Sequence, residues 1–123
     1  MKPVDSNILI YAARPDGEKL RNWIPWDDIA VSVITRIEVL GYHRLSDEER
    51  MALEALFDVL DVLPVTSEVA ERAIVLRRAR RMSLGDSIIA ATALVEDISF
   101  VTHNVSDFEG IPDLRMEDPV ATA

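Results

Sequence analysis

The order of helix and strand signals predicts an α/β fold of three layers. Helices cover both faces of a central parallel sheet of about four or five short strands. Three observations carry this expectation. Short β-branched or apolar runs alternate with helical segments along most of the chain. Several helical segments open on Ser, Thr, Asp or Asn, whose side chains accept hydrogen bonds from the free N–H groups of a first turn. One segment, SLGDSIIAATAL at residues 83–94, is apolar nearly all round, as a helix buried in a core must be.

Taken in order, VDSNILIYAA places a strand at residues 2–5 and a helix across 8–13, with Asp5-Ser6-Asn7 as its entry cluster. Residues 18–24 form a short helix halted before Pro25. IAVSV at 29–33 alternates and is β-branched, hence a strand. Thr35 starts the helix TRIEVLGYHRL, with Ile34, Ile37, Leu40 and Leu45 near one side. Ser46 and Glu49 have the spacing of a capping box for the next helix, SDEERMALEALFDVL, whose acidic first turn suits the helix dipole. Residues 62–65 (VLPV) make a short strand with Pro64 at its end or on an edge. Residues 67–81 make an amphipathic helix finishing in arginines, and residues 86–96 the apolar helix. ISFVT at 98–102 is a strand, and the turn HNVSDFEGIPD leads to a last strand near 114–116.

The 123 residues fit a single domain, 1–123, with one sizeable core. Gly and Pro are sparse and scattered, and no repeat or linker shows. Cysteine is absent, which excludes disulfides, thiolate metal sites and cysteine nucleophiles and fits a reducing cytoplasm. The longest uncharged run, 87–95, falls far short of the roughly 20 residues that span a bilayer, so the chain reads as a soluble protein with no membrane partner. Net charge is −9, an unfavourable balance for a nucleic-acid binder. Its distribution qualifies this: the arginines concentrate in ERAIVLRRARR at 71–81, and carboxylates gathered about a cation would absorb part of the negative total.

Four carboxylates stand out. Asp5 follows the first strand and Asp107 the ISFVT strand, where parallel sheets hold their ligands. Each also has an ordinary role, as a helix N-cap and as turn chemistry respectively. Glu38 lies on the border of an apolar helix face, where a glutamate reaches to the surface or pairs with Arg36 or Arg44. Asp86 heads the most apolar helix. A first-turn acid gains from the dipole, yet Ser83 or Ser87 could serve that end without a charge. Four acids from separate elements converging at one sheet edge would repel one another and keep their protons unless a cation intervened. Oxygen-only donors of that kind select Mg²⁺ or Mn²⁺ over zinc. His43 and His103 lack zinc-site spacing.

Three Mg²⁺-using classes suit such a domain. A phosphorylatable receiver and a haloacid-dehalogenase-type phosphatase both need a downstream lysine, and none follows Lys19. A nuclease needs only clustered carboxylates, metal and an activated water. The residues also resemble the PIN-domain ribonucleases, and within them the VapC-type toxins of toxin–antitoxin pairs. VDSNILIY resembles the family's opening Asp-Thr/Ser-Asn block, SVITRIEVLGY its central glutamate segment, SLGDSIIAATAL its Asp-x-x-Ile-Ala-Ala helix and FVTHNVSDF its Thr-x-Asn-x-x-Asp-Phe turn.

That resemblance implies a Mg²⁺-dependent endoribonuclease, with Mn²⁺ able to substitute, that leaves a 5′-phosphate and a 3′-hydroxyl. Asp5 and Asp86 would be the principal metal ligands. Glu38 and Asp107 would complete the cluster directly or through water, one of them assisting deprotonation. Ser6, Thr102 and Asn104 would be supporting polar residues. It also implies a cognate VapB-type antitoxin whose helical tail blocks the site, and a homodimer. For RNA contact the densest source of positive charge is Arg77, Arg78, Arg80 and Arg81, with Arg36 and Arg44 as further candidates. Trp23 and Trp26 suit a groove for a protein partner. Two other readings stand beside this one: a catalytically silent protein- or RNA-binding module of the same fold, and a metal-dependent phosphatase.

Overall fold

The computed structural model describes residues 1–122. Strand β1 (Lys2–Pro3) pairs in parallel with β2 (Ile29–Ser32), and β2 in parallel with β3 (Asp61–Leu63). Separately, β4 (Phe100–Val101) pairs in parallel with β5 (Met116–Glu117). A single parallel bridge, Val4 to Val101, joins the two sets. The strand order is therefore β3-β2-β1-β4-β5, as a three-stranded and a two-stranded ladder in place of the one sheet of four or five strands expected. Strand length explains the seam. After Val4 the Asp5 N–H gives one more bond to the Val101 carbonyl (2.9 Å), and the chain then turns into a helix.

The helices are α1 (Ser6–Ala13), α2 (Glu18–Trp23), α3 (Val33–Leu40), α4 (Asp47–Val59), α5 (Ser67–Ala79), α6 (Leu84–Glu96) and a short α7 (Pro119–Thr122). Their starts are chemical. Ser32, Ser46, Thr66 and Ser83 each accept a backbone N–H with the side-chain hydroxyl, a cap that contributes about 1 kcal/mol. At Ser46 the reciprocal bond from the Ser46 N–H to Glu49 (3.2 Å) completes the capping box. α7 was not foreseen, although Asp118-Pro119 is a helix-entry pair: the Asp118 carboxylate accepts the Val120 N–H at 3.0 Å.

Two apolar clusters replace the single core that composition suggested. One gathers Ile8, Leu9, Ile29, Val31, Val39, Leu53 and Phe57; the other gathers Val69, Leu76, Ile88, Ile89, Phe100 and Phe108. Adjacent Phe100 and Val101 go to different clusters, as successive residues of a strand must when both faces of a sheet are covered. α3 departs most from expectation. It starts at Val33 because Ser32 is the cap, and it stops at Gly41. Its buried residues are Thr35 and Val39, one turn apart, while Ile37 is 62% exposed. The expected apolar side through Ile37 is thus the wrong face. Among the described residues no helix is long and apolar enough to cross a membrane.

Candidate active site

The carboxyl ends of β1, β2 and β4 lie together, and each leads into a polar residue: Asp5 after β1, Thr102 after β4, and Ser32 at the end of β2 opening α3. Asp5 holds the N-cap position of α1, yet its side chain closes no cap bond. It is 3% exposed. One carboxylate oxygen accepts the Thr102 hydroxyl at 3.0 Å, and the other lies 3.4 Å from the Ser6 hydroxyl. Thr102, itself fully buried, accepts the Asn104 N–H at 3.0 Å. That bond aims the threonine proton at Asp5. The side chains of Ser6 and Thr102 and the backbone of Asn104 thus form one hydrogen-bonded chain that orients the buried acid.

Glu38 projects from α3 toward the start of α6. A Cβ built on Gly85 would stand 2.8 Å from the Glu38 carboxyl carbon, so this carboxylate occupies the space that any side chain at 85 would fill. Asp86 is in the first turn of α6, and its N–H is already taken by the Ser83 hydroxyl (3.1 Å). The helix end is capped without it. Asp107 lies on a 3₁₀ turn, Val105–Phe108, anchored by Phe108, whose buried ring meets Phe100 edge-on at 4.8 Å. Asp86 and Asp107 line one cleft together with Arg81, Met82 and Ser83.

The electrostatics tie these acids together. Burial pushes the Asp5 carboxyl above its ordinary range, against the Thr102 hydroxyl, the nearby N–H groups of Ser6 and Asn7, and the Ser6 hydroxyl, which all favour the ionised form. Glu38 is raised by desolvation first, then by the charges of Asp86 and Asp5. Asp86 is raised by desolvation, then by Asp5, with the Ser83 hydroxyl opposing and Asp107 adding repulsion. Glu38 thus feels the charges of Asp86 and Asp5, and Asp86 those of Asp5 and Asp107, while the ion pairs among the described residues involve none of the four.

A divalent cation suits this set. The side-chain donors are oxygens, their mutual repulsion asks for positive charge, and Gly85 leaves the Glu38 carboxylate beside Asp86. No group of three His, Asp or Glu side chains among the described residues stands close enough to hold an ion by itself.

The arginines separate. Arg81 is exposed beside Asp86 and Asp107. Arg36 on α3, and Arg77 and Arg78 in the last turn of α5, are exposed. Arg80, expected with them as an RNA contact, does not present a free guanidinium. It donates to the carbonyls of Glu109 and, at 3.0 Å, Asp107. Trp26 donates to the Arg21 carbonyl (2.9 Å) and lines an apolar groove with Leu9, Ala12, Leu53 and Leu56, whereas Trp23 is exposed elsewhere.

Sequence reasoning passed over Gly85. The signal was present, since a glycine inside a helix costs about 1 kcal/mol relative to alanine and marks a place where something approaches closely. It also passed over the inward turn of Arg80, which no local pattern announces.

Residues 3–114 match the PIN domain family. Ribonuclease VapC10 of Mycobacterium tuberculosis (strain ATCC 25618 / H37Rv) is 35% identical over 121 residues, covering 91% of this chain and 89% of that protein. Ribonuclease VapC19 of the same strain is 37% identical over 127 residues, covering 94% and 98%. Among solved structures, DNA-bound VapBC from Salmonella typhimurium superposes with a TM-score of 0.80 at 25% identity, over 97% of this chain and 99% of that one. A toxin–antitoxin complex from Klebsiella pneumoniae gives 0.71 at 29% identity, over 97% and 98%.

Proposed function

The chain belongs to the PIN domain family, and from that premise we propose that it is a VapC-type toxin, a Mg²⁺-dependent endoribonuclease. The relatives named as VapC ribonucleases support the activity. What supports the mechanism is the electrostatics of Asp5, Glu38 and Asp86: a buried, an exposed and a half-buried acid with no ion-pair partner among the described residues, in which the charge of Asp5 raises the proton affinity of both Glu38 and Asp86.

Asp5 and Asp86 would be the principal ligands for Mg²⁺ or Mn²⁺, with Glu38 and Asp107 adding to them directly or through water. A divalent ion bound there supplies Lewis-acid polarisation of the phosphodiester and lowers the pKa of water. The protein supplies the rest. The Ser6–Thr102–Asn104 chain holds Asp5 in one orientation, so no reorganisation is needed as charge develops. Whichever of Glu38 and Asp107 is not a direct ligand would accept the proton of the attacking water; neither is in an ion pair with a basic side chain among the described residues. Arg81, on the same cleft as Asp86 and Asp107, meets the RNA phosphate. Arg36, Arg77 and Arg78 extend that contact along the strand.

The same reading assigns a cognate VapB-type antitoxin as partner, in line with structural neighbours that are VapBC and toxin–antitoxin complexes. The groove holding Trp26, Leu9, Ala12, Leu53 and Leu56 suits the apolar face of its helix. A homodimer acting in the cytoplasm completes the proposal. The test is incubation of the purified chain with single-stranded RNA in Mg²⁺ or in EDTA, with Asp86→Asn as control and the cut ends mapped. Cleavage in Mg²⁺ alone, lost in Asp86→Asn, supports the reading. RNA binding without cleavage in any metal replaces it with a silent binding module. Turnover of a phosphomonoester with RNA left intact makes the chain a phosphatase.

A further inference from the structure

Arg80 sits at the C-cap of α5, the second of the two adjacent arginines that end the ARR run of residues 79–81 being the one that lines the acidic cleft. Its guanidinium crosses to the turn that bears Asp107. One terminal nitrogen donates to the Glu109 carbonyl and the other to the carbonyl of Asp107 itself, while Nε is buried and finds no acceptor among the described residues. A charge is thus committed inward, with one donor left unsatisfied, to hold two peptide groups of a single turn. Two planar donors fix the orientation of that turn in a way one point charge does not. Just beyond it Gly110, at φ 85°, turns the chain back, with room beside the guanidinium.

We infer that Arg80 is a positioning residue: it straps the end of α5 to the 105–108 turn and so sets the place of the Asp107 carboxylate relative to Asp86. This rests on the metal-dependent reading above. The side chain of Asp107 is exposed, and it has no hydrogen bond or ion pair of its own among the described residues. Its position is therefore inherited from its backbone, which is held by its own N–H bond to the Asn104 carbonyl (3.1 Å), by the buried Phe108 ring and by Arg80, a hold that comes from another element. The neighbouring Arg81 keeps its charge for the cleft. Adjacent residues in the sequence thus have different roles, one organising a ligand and one meeting substrate.

The experiment is a calorimetric titration of the full chain with MnCl₂, for wild type, Arg80→Met, Arg80→Lys, Asp107→Asn and the Arg80→Met/Asp107→Asn double variant. Binding of a short single-stranded RNA without metal is measured beside it. Arg80→Met weakens Mn²⁺ binding by about tenfold, the lower end for loss of a group that orients a ligand. Arg80→Lys lies between it and wild type. The double variant binds no more than about twofold more weakly than Asp107→Asn, because a residue acting through another adds nothing once that other is gone. RNA binding by Arg80→Met stays near wild type, whereas Arg81→Ala lowers it. Where Arg80→Met melts below the assay temperature, Arg80→Lys carries the same comparison.

Wild-type Mn²⁺ affinity in Arg80→Met, losses that add fully in the double variant, or an RNA defect as large as that of Arg81→Ala would overturn the inference. The two levels separate cleanly. A wild-type chain that binds Mn²⁺ but cuts no RNA sinks the ribonuclease reading and leaves the strap standing. A chain that cuts RNA while Arg80→Met binds Mn²⁺ unchanged does the reverse.

Discussion

Asp5 and Asp107, two acids of the candidate site, are held by different means. Asp5 belongs to the sheet: its N–H bonds the Val101 carbonyl, its carboxylate meets a buried threonine, and it is 3% exposed. Asp107 belongs to an exposed turn held from outside by an arginine and from below by Phe108. The first position follows from the fold itself, so it changes only when the fold does. The second rests in part on a side-chain contact that one substitution removes.

The largest effects belong to the sheet end. Asp5→Asn and Asp86→Asn should each lower RNA cleavage by about a thousandfold, close to 4 kcal/mol of lost transition-state stabilisation. Single-turnover kinetics in saturating Mg²⁺ check this. In EDTA the same Asp5→Asn should melt higher than wild type by about 3–6 °C, roughly 1 kcal/mol for a domain of this size. It removes a buried charge and keeps an oxygen for Thr102. The pH dependence has a definite sign. The folded-state pKa values of Asp5, Glu38 and Asp86 are raised. Their contribution to metal-free stability is therefore fully present below the ordinary carboxylate range, and it is lost as pH climbs through the raised values. Melting in EDTA should fall over that interval, and Mg²⁺ should restore stability at neutral pH.

Next comes Gly85→Ala. Helix propensity alone favours alanine by about 1 kcal/mol, but the new methyl would displace the Glu38 carboxylate. Cleavage should fall by about tenfold or more, an effect of misplacing a catalytic group, with little loss of melting temperature. Equal loss of both would make Gly85 merely structural. A smaller effect is expected for Thr102→Val. Losing its hydroxyl removes a bond that lowers the Asp5 pKa, so the acid limb of Mn²⁺ binding should move to higher pH. The smallest lies at the rim. Arg81→Ala should reduce the slope of log RNA affinity against log salt by about 0.7, the value for one phosphate contact on a single strand, and Arg77→Ala by less.

Much of this was legible in the residues. Ser46 with Glu49, the end of α6 at Glu96 and the placing of Asp5 at a strand end follow from capping chemistry and short β-branched runs, whereas α6 starts at Leu84, two residues before the expected 86, because Ser83 caps it. What escaped depends on distant partners. Ile34, Ile37 and Leu40 suggest one face for α3, but contact with α1 and α6 turns Thr35 and Val39 inward. Likewise Arg80 and Arg81 are indistinguishable in sequence, and only the fold of the 105–110 segment decides which one turns toward it. The seam between the two ladders was hidden too, because two-residue strands leave almost no periodicity to read.

The central claim is that these acids share a divalent cation. Calorimetric titration of the metal-free chain with Mg²⁺, alongside Asp86→Asn, tests it most directly. Saturable binding to wild type that disappears in the variant is the predicted result. Identical isotherms for the two proteins, or no binding to wild type at neutral pH, would contradict it.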